Sequence, residues 1–152
     1  MGIQINSNPI IKLIALISWM SQIFLTSAHT NPADLLPRFL VRFLWDTTIF
    51  GQRLFFLLGP LGHAFNFAVL ALLLAWALTT NDILSPEKFR LALIISVLYA
   101  LSDEIHQIFV PTRTFQIRDL IVDAIGALLG LLLFQTMVMR RKTKNQLESP
   151  LL

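Results

Sequence analysis

The chain has 152 residues, of which 55% are hydrophobic and only 14% charged, and its mean hydropathy is +0.69. This composition argues against an ordinary water-soluble domain, and the length favours a single membrane domain over residues 1–152. The lack of cysteine excludes a disulfide framework, a thiol nucleophile and a cysteine-ligated metal site. The net charge of +3 comes largely from a basic cluster at residues 140–144, which is typical of a topology signal and argues against nucleic-acid binding.

The first predicted element is a membrane span over residues 10–26. It resembles a secretory signal peptide only loosely, because Trp19 and Gln22 interrupt the apolar region and no clean small-x-small cleavage site follows. We therefore expect a retained first span, with a cleaved signal as the alternative.

The second predicted element is an amphipathic helix over residues 35–49. Its apolar residues recur at the spacing of one helical face, while Arg38, Arg42 and Asp46 fall on other faces. This pattern indicates a helix lying in the membrane interface, although a short helix packed against the other helices would show it too. The apolar face is formed by Leu36, Phe39, Leu40, Phe43 and Leu44.

Three further spans are predicted at residues 61–79, 90–109 and 119–139, with the Gly59-Pro60 pair interrupting the chain before them. The predicted fold class is all-α: an integral membrane four-helix bundle with an additional interfacial amphipathic helix. We expect residues 140–152 to form a frayed tail. A turn containing Pro111 makes the last two spans an antiparallel hairpin, so the Gly126-x-x-x-Gly130 face should lie against the third span.

The distribution of Lys and Arg predicts the orientation of the spans. Four spans place both termini and the 80–90 loop on one side, together with most of the basic residues. We therefore expect a multi-pass protein of the plasma (inner) membrane with both termini in the cytoplasm. The cytoplasmic side holds Lys12, Lys88, Arg90, Arg140, Arg141, Lys142 and Lys144; the other side holds Arg38, Arg42, Arg53, Arg113 and Arg118.

The same parity gathers the polar residues of the spans in one leaflet. The end of the first span, the start of the second, the end of the third and the start of the fourth all meet there, and under this orientation the leaflet is extracytoplasmic. The residues concerned are Ser21, Gln22, Thr26, His63, Asn66, Asp103, Glu104, His106, Gln107, Asp119 and Asp123.

A charged side chain at bilayer depth costs about 2.5–3.5 kcal/mol on insertion scales, so such a group usually marks a site. Four carboxylates here face only two arginines, and this excess of acid suits acid–base chemistry, a proton relay or cation binding. A buried network that only holds helices together is the alternative, and the helix dipole alone could explain Asp119. The candidate acid–base residues are Asp103, Glu104 and His106, and the candidate binding residues are Arg113, Arg118, Gln107, Asp119, Asp123, His63 and Asn66.

Specific enzyme signatures are absent from the sequence. It contains no His-Glu-x-x-His motif, no serine in a nucleophile elbow and no glycine-rich phosphate loop. A metal site of His63, Glu104, His106 and Asp119 is sterically conceivable but has no spacing signature. We therefore expect no metal, and the sequence indicates no particular cofactor.

Residues 99–113, YALSDEIHQIFVPTR, and 118–127, RDLIVDAIGA, resemble the hallmark of the VanZ-like family of small integral membrane proteins. The resemblance extends more loosely to His63 and the first span. It implies a link to low-level resistance to the glycopeptide teicoplanin, and it singles out Glu104, His106, Gln107, Arg113, Asp119 and Asp123 without supplying a reaction. Two departures are Thr112, where the family often has glycine, and Gly59-Pro60, where it often has an Asp-Lys pair.

Three functions are compatible with this sequence. The first is a cell-envelope factor whose site binds an anionic membrane lipid or a lipid-linked cell-wall intermediate, with Arg113 and Arg118 holding phosphate. The second is an intramembrane enzyme acting on such a lipid, with Glu104 or His106 as general base. The third is a non-catalytic membrane component that stabilises a partner. The sequence does not fix the oligomeric state.

Overall fold

A computed structural model of the chain describes residues 8–29, 36–49, 51–79 and 84–148. These residues form α1 (Pro9–Ser27), α2 (Arg38–Asp46), β1 (Thr48–Ile49), β2 (Gln52–Arg53), α3 (Leu54–Leu78), α4 (Pro86–Gln107) and α5 (Ile117–Glu148). The two short strands pair antiparallel, with Thr48 opposite Arg53. The predicted all-α class is confirmed.

Three of the helices are long and apolar enough to cross a membrane, within α1, α3 and residues 117–144 of α5. Helix α4 is long enough but more polar at its ends, because Arg90 near its start and Asp103 near its end leave only residues 91–102 free of charge. Length and composition thus support three of the four predicted spans.

Local signals set where α1 and α4 begin. The side chain of Asn8 accepts a hydrogen bond from the Ile10 backbone N–H at 3.0 Å, and Pro9 occupies the first helical position. Ser85 and Pro86 play the same parts for α4. The helix containing the predicted third span therefore begins before residue 90, and it ends at Gln107.

Helix α3 begins earlier than the predicted second span, because Pro60 lies inside the helix and does not stop it. A proline there removes one hydrogen bond, the one that the Phe56 carbonyl would accept. The first turns of α3 also pack on the preceding segment: the rings of Phe55 and Phe56 lie 5.3 Å and 5.8 Å from the Trp45 ring.

Helix α2 is shorter than the predicted helix over residues 35–49. Pro37 occupies its N-cap position, and Thr47 is extended and leads into the hairpin, whose turn holds Gly51 at a φ of 77°. Residue 35 lies outside the described part of the chain. On the predicted apolar face Leu44 is buried, but Phe39 and Phe43 are exposed.

The expectation of a frayed tail over residues 140–152 is wrong for its first part. Helix α5 continues without a break through the basic cluster to Glu148, and the side chains of residues 140–144 are exposed. Residues 149–152 lie outside the described part.

The glycine face of α5 packs on α3 and not, as the sequence suggested, on α4. A Cβ atom added at Gly126 would lie 2.8 Å from Ala64 Cα, and one added at Gly130 would lie 2.9 Å from Ala68 Cα. The two backbones therefore touch, as the Gly-x-x-x-Gly pattern permits. Gly126 lies against Ala64 and Gly130 against Ala68, so the residue numbers increase in the same direction along both helices. Helices α3 and α5 therefore run parallel.

Two ends of the molecule follow from these directions. At the first, the ammonium group of Lys12 donates to the Thr79 carbonyl at 2.7 Å, which joins the start of α1 to the end of α3. We call it the lysine end. At the other, α1 and α4 end while α3 and α5 begin. We call this the polar end, and its buried or half-buried polar side chains include Ser27, His63, Asp103, Glu104, Gln107, Asp119 and Asp123.

Candidate functional site

A cleft of about 540 Å³ opens at the polar end. One part of its wall is apolar and comes from α1, α3 and the segment before α2, with Ile23, Leu36, Phe55, Phe56, Leu58 and Phe67. The polar part of the lining includes His63, Asn66, Asp103, Arg113, Arg118 and Asp119. Most small-molecule sites combine an apolar wall with a few polar groups in this way.

Asp103 is a buried carboxylate with partners of its own. Its Oδ2 accepts hydrogen bonds from Ser27 Oγ at 2.7 Å and from Gln107 Nε2 at 3.2 Å. The first bond joins the ends of α1 and α4, and the second lies within α4, where residues four apart share a face. Gln107 thus acts on the site through Asp103.

Glu104 has 0% of its surface exposed and is only half paired. Its Oε2 accepts the backbone N–H of Gln116 at 2.7 Å, just before α5 begins, where helical N–H groups lack partners within the helix. Its Oε1 has no hydrogen-bond partner. The carboxylate therefore fixes the turn between α4 and α5 while one oxygen stays available.

His63 and Asp123 form a pair across α3 and α5. His63 Nδ1 lies 3.1 Å from Asp123 Oδ1, and Asp123 is fully buried with its Oδ2 unpaired. One ligand atom from each of His63, Glu104 and Asp119 lies within 4.8 Å of the other two. An imidazole and two carboxylates from three helices therefore converge on one point.

His106 lies apart from this group. Its ring stacks on Phe24 of α1, with centroids 4.1 Å apart and an angle of 19° between the planes, and its Nδ1 has no hydrogen-bond partner. Of the four residues that the sequence suggested for a metal, three converge and His106 does not.

The two arginines line the cleft without pairing with its acids. Arg113 Nη2 donates to the His29 carbonyl at 3.1 Å and its Nε has no partner among the described residues, while Arg118 is exposed. Among the described residues, no lysine or arginine forms an ion pair with any of the four polar-end carboxylates. Within the described part of the chain, the one basic side chain at ion-pair distance from any of them is the imidazole of His63, beside Asp123.

The turn that carries Arg113 holds a strained residue. Thr112 has a φ of 69°, in the left-handed region that a β-branched side chain rarely adopts. VanZ-like proteins, which the sequence resembles, often have glycine at this position, and a positive φ is the backbone conformation that favours glycine.

The structure brings most of the predicted residues to one place. His63, Asn66, Asp103, Arg113, Arg118 and Asp119 line the cleft. Glu104 and Asp123 lie close to them, and Gln107 holds Asp103. Sequence reasoning missed Ser27 and Gln116. Ser27 is one residue beyond the predicted end of the first span, so a longer span would have included it, whereas Gln116 holds Glu104 through its backbone, which no side-chain pattern reveals.

A comparison with protein families adds an independent finding. The family model described as VanZ/LLP1 matches residues 12–139, which include every residue of the cleft named above. No curated protein and no solved structure matches the chain.

Proposed function

The chain belongs to the VanZ/LLP1 family, and from this premise we propose that it is a cell-envelope membrane protein that binds a phosphate-bearing lipid at its polar end. The lipid is an anionic phospholipid or a lipid-linked cell-wall intermediate with a net negative charge, and not a zwitterionic phospholipid. Through that lipid the protein contributes to glycopeptide tolerance, as the resemblance to VanZ-like proteins implies.

The observation that carries this proposal is that one cleft is lined both by an apolar wall and by two arginines. The rings of Phe55, Phe56 and Phe67 offer an apolar wall, and Arg113 and Arg118 lie on the same cavity. An amphiphile needs both surfaces. Its hydrocarbon chain lowers its free energy by leaving water, and its headgroup must keep polar partners. A soluble ligand of similar charge would gain little from the apolar wall.

The arginines suit a phosphate better than they suit the neighbouring acids. A guanidinium group can donate two parallel hydrogen bonds to a phosphate. Because neither Arg113 nor Arg118 pairs with a carboxylate of the described residues, a ligand need not break such an ion pair to reach them.

We further propose that α4 is the fourth span. Its 22 residues would extend about 33 Å at 1.5 Å per residue, and the hydrocarbon core of a bilayer is about 30 Å thick. At the C-terminal end of α4, the acids Asp103 and Glu104 are buried by other helices. The outer face of α4 is an apolar stripe at helical spacing. The exposed residues of the stripe are Leu91, Ile94, Leu98, Leu101, Ile105 and Ile108.

In this arrangement α2 lies in the interface, with its exposed Phe39 and Phe43 towards the lipid. The basic cluster at residues 140–144 stays in the cytoplasm of a bacterial cell, and the cleft opens to the extracytoplasmic leaflet of the plasma membrane. A reporter fused after Lys144 should read cytoplasmic and one inserted near Thr112 extracytoplasmic. The opposite readings would reverse the orientation and place the cleft in the inner leaflet.

Lipid binding can be tested directly with the purified chain in nanodiscs. We expect a polyprenyl phosphate or phosphatidylglycerol to compete with a fluorescent anionic lipid, and phosphatidylcholine to compete at least tenfold less well. Arg118→Gln should weaken the preferred lipid at least tenfold. Arg90→Gln is the matched control, because Arg90 is an exposed arginine outside the cleft.

The form of the contact is tested by Arg113→Lys, which keeps the charge but loses the planar fork. A bidentate phosphate contact should weaken about tenfold, whereas a guanidinium that only lies near the surface should tolerate the change. Equal binding of all lipids by the wild-type chain would reject the proposed function.

An intramembrane enzyme is the second candidate, and it is favoured by one observation: Glu104 Oε1 and His106 Nδ1 are both buried without partners. Such atoms could exchange a proton with a bound substrate. Mass spectrometry of the bound lipid over time separates the two candidates, since a binding protein returns the lipid unchanged. If no lipid binds at all, the structural role that the sequence also allows remains.

A further inference from the structure

The convergence of His63, Glu104 and Asp119 is closer than the proposed lipid site requires. One ligand atom of each lies within 4.8 Å of the others, and the three residues come from α3, α4 and α5. We propose that these side chains bind one divalent transition-metal cation, such as Zn²⁺ or Mn²⁺, on the wall of the cleft.

Glu104 provides the first independent support. It has 0% of its surface exposed, and its Oε2 is fixed by the Gln116 N–H while its Oε1 has no partner. A buried carboxylate oxygen without a partner is costly, and in proteins such groups are paired or coordinate metals. A cation at the convergence point supplies the missing partner without disturbing the bond to Gln116.

His63 provides the second support. Its Nδ1 is engaged by Asp123 at 3.1 Å, which leaves Nε2 as the ring nitrogen that can bind a cation. A carboxylate on the other ring nitrogen is the usual arrangement behind a metal-binding histidine, because it fixes the tautomer and the ring orientation. Asp123 would therefore be a positioning residue and not itself a ligand.

The charges of the polar end agree with a cation. Asp119, Glu104 and Asp123 are 8%, 0% and 0% exposed, and among the described residues none of them pairs with lysine or arginine. A divalent cation would neutralise this excess, and each ligand would be deprotonated as metal binding requires.

The ligand set narrows the class of cation. One imidazole and two carboxylates suit Zn²⁺ or Mn²⁺ better than Ca²⁺, which prefers oxygen ligands alone. Ligand atoms around a tetrahedral Zn²⁺ lie about 3.4 Å apart, so atoms that lie within 4.8 Å of one another must approach by at most about 1.4 Å. Rotation about the side-chain bonds of Asp119 can contribute to that movement while Glu104 keeps its bond to Gln116.

Three protein ligands leave a coordination position open. His63 and Asp119 both line the cleft, so that position would face its interior. There the cation can bind a phosphate oxygen beside the arginines, and this last step rests on the proposed function.

The cation is tested without lipid. The full chain in detergent is stripped with a chelator and then titrated with Zn²⁺, Mn²⁺, Mg²⁺ and Ca²⁺, followed by calorimetry and elemental analysis. We expect one Zn²⁺ or Mn²⁺ per chain and a rise of several degrees in melting temperature on binding. A wild-type chain that binds neither ion stoichiometrically would overturn the proposal.

Variants then locate the ion. Glu104→Gln and Asp119→Asn should each weaken binding by about 100-fold, and Asp123→Asn by about 10- to 100-fold. Asp103→Asn is the matched control: Asp103 is a buried acid at the same end whose partners are Ser27 and Gln107, and the variant should keep the ion. Equal loss in all four variants, or in none, would place the ion elsewhere and overturn the assignment. If one variant does not fold, the remaining ligand variant and the wild-type melting shift still decide.

The link to phosphate is tested last, by measuring polyprenyl phosphate binding to metal-loaded and chelator-treated chain. We expect loading to strengthen binding at least tenfold. Equal lipid binding in both states would overturn the cation–phosphate contact. If the chain binds the ion but no phosphate lipid in either state, the proposed function fails and the cation site stands.

Discussion

Lys12 at the lysine end and Glu104 at the polar end are both buried, but their surroundings differ. The Lys12 ammonium donates to the Thr79 carbonyl at 2.7 Å and lies 5.6 Å from the centre of the Trp76 ring. That carbonyl lies at the end of α3, where the helix dipole favours a cation. Glu104 leaves Oε1 unpaired, and the nearby Asp123 leaves Oδ2 unpaired.

The difference separates two uses of buried charge in a membrane protein. At the lysine end the charge closes a helix terminus and joins α1 to α3, so its contribution to stability is a sufficient explanation. At the polar end the paired atoms hold α1, α4 and α5 together, but Glu104 Oε1 and Asp123 Oδ2 have no hydrogen-bond partner among the described residues. Proteins retain such unpaired buried groups mainly where a ligand, an ion or a proton uses them.

The close contact between α3 and α5, which connects the two ends, should be the most sensitive to substitution. Gly130→Ala would place a Cβ 2.9 Å from Ala68 Cα, and the clash is with backbone, which cannot rotate away. We expect a loss of about 3 kcal/mol in stability and a clear fall in the amount of monodisperse protein on gel filtration.

The matched control is Gly62→Ala, a helical glycine in α3 whose added Cβ would meet nothing within 4 Å. It should melt at or slightly above the wild-type temperature, because alanine is the better helix former. Equal melting of the two variants would contradict the close approach of α3 and α5.

The comparison of the two ends predicts that Glu104→Gln separates function from stability. Glutamine keeps the size and can still accept the Gln116 N–H, but it carries no charge. We expect lipid binding to fall by about 100-fold, roughly 2.7 kcal/mol, because the cation beside the phosphate is lost, while the melting temperature of the metal-free protein stays unchanged or rises. Parallel loss of binding and stability would mean that Glu104 only braces the helices.

The variant His106→Asn tests the second candidate function, an intramembrane enzyme, when ion binding and lipid turnover are measured on the same protein. His106 stacks on Phe24 and lies outside the convergent group. Metal binding should therefore survive the change, whereas an enzyme that uses His106 for proton transfer would lose turnover. Retained ion binding with lost turnover would favour the enzyme.

The lysine end should behave in the opposite way. Lys12→Met keeps the length of the side chain but leaves the Thr79 carbonyl without its donor, and hydrogen bonds from charged groups contribute about 1.5–3 kcal/mol. Loss of the buried charge offsets part of this, so we expect a net destabilisation of about 1 kcal/mol with lipid binding unchanged. Lys88→Met, at an exposed lysine, should have no measurable effect on the melting temperature.

Much of this architecture can be predicted from the sequence, because the alternation of spans across the membrane does not depend on the exact helix boundaries. The argument from alternating spans groups His63, Asp103, Glu104 and Asp119 at the same helix ends, and it needs only the order of the apolar segments. The positions of these residues in the structure do not depend on boundaries, which shift by several residues at α3 and α5.

The choice of helix partner is not readable in the same way. Gly126 and Gly130 mark a face that admits a close neighbour, but nothing in their spacing says whether α3 or α4 supplies it. Small residues at Ala64 and Ala68 decide the matter in the structure, because they share the spacing of the glycines. The bond from Gln116 to Glu104 is likewise hidden, since it uses a backbone N–H that every residue but proline possesses.

The smallest expected effect separates backbone strain from buried charge at the polar end. Thr112 has a φ of 69°, and a side chain there costs about 1–2 kcal/mol that glycine avoids. Glycine also gives the unfolded chain more freedom, which offsets about 0.5–1 kcal/mol. We therefore expect Thr112→Gly to increase the stability by about 0.5 kcal/mol and to raise the melting temperature by about 1 °C to 2 °C.

Thr114→Gly is the control: Thr114 is an exposed threonine in the same turn without a positive φ, so the change should lower the melting temperature. Because neither variant touches a carboxylate, ion and lipid binding should match the wild type in both. A fall in melting temperature for Thr112→Gly equal to that of Thr114→Gly would show that the turn at Thr112 is unstrained.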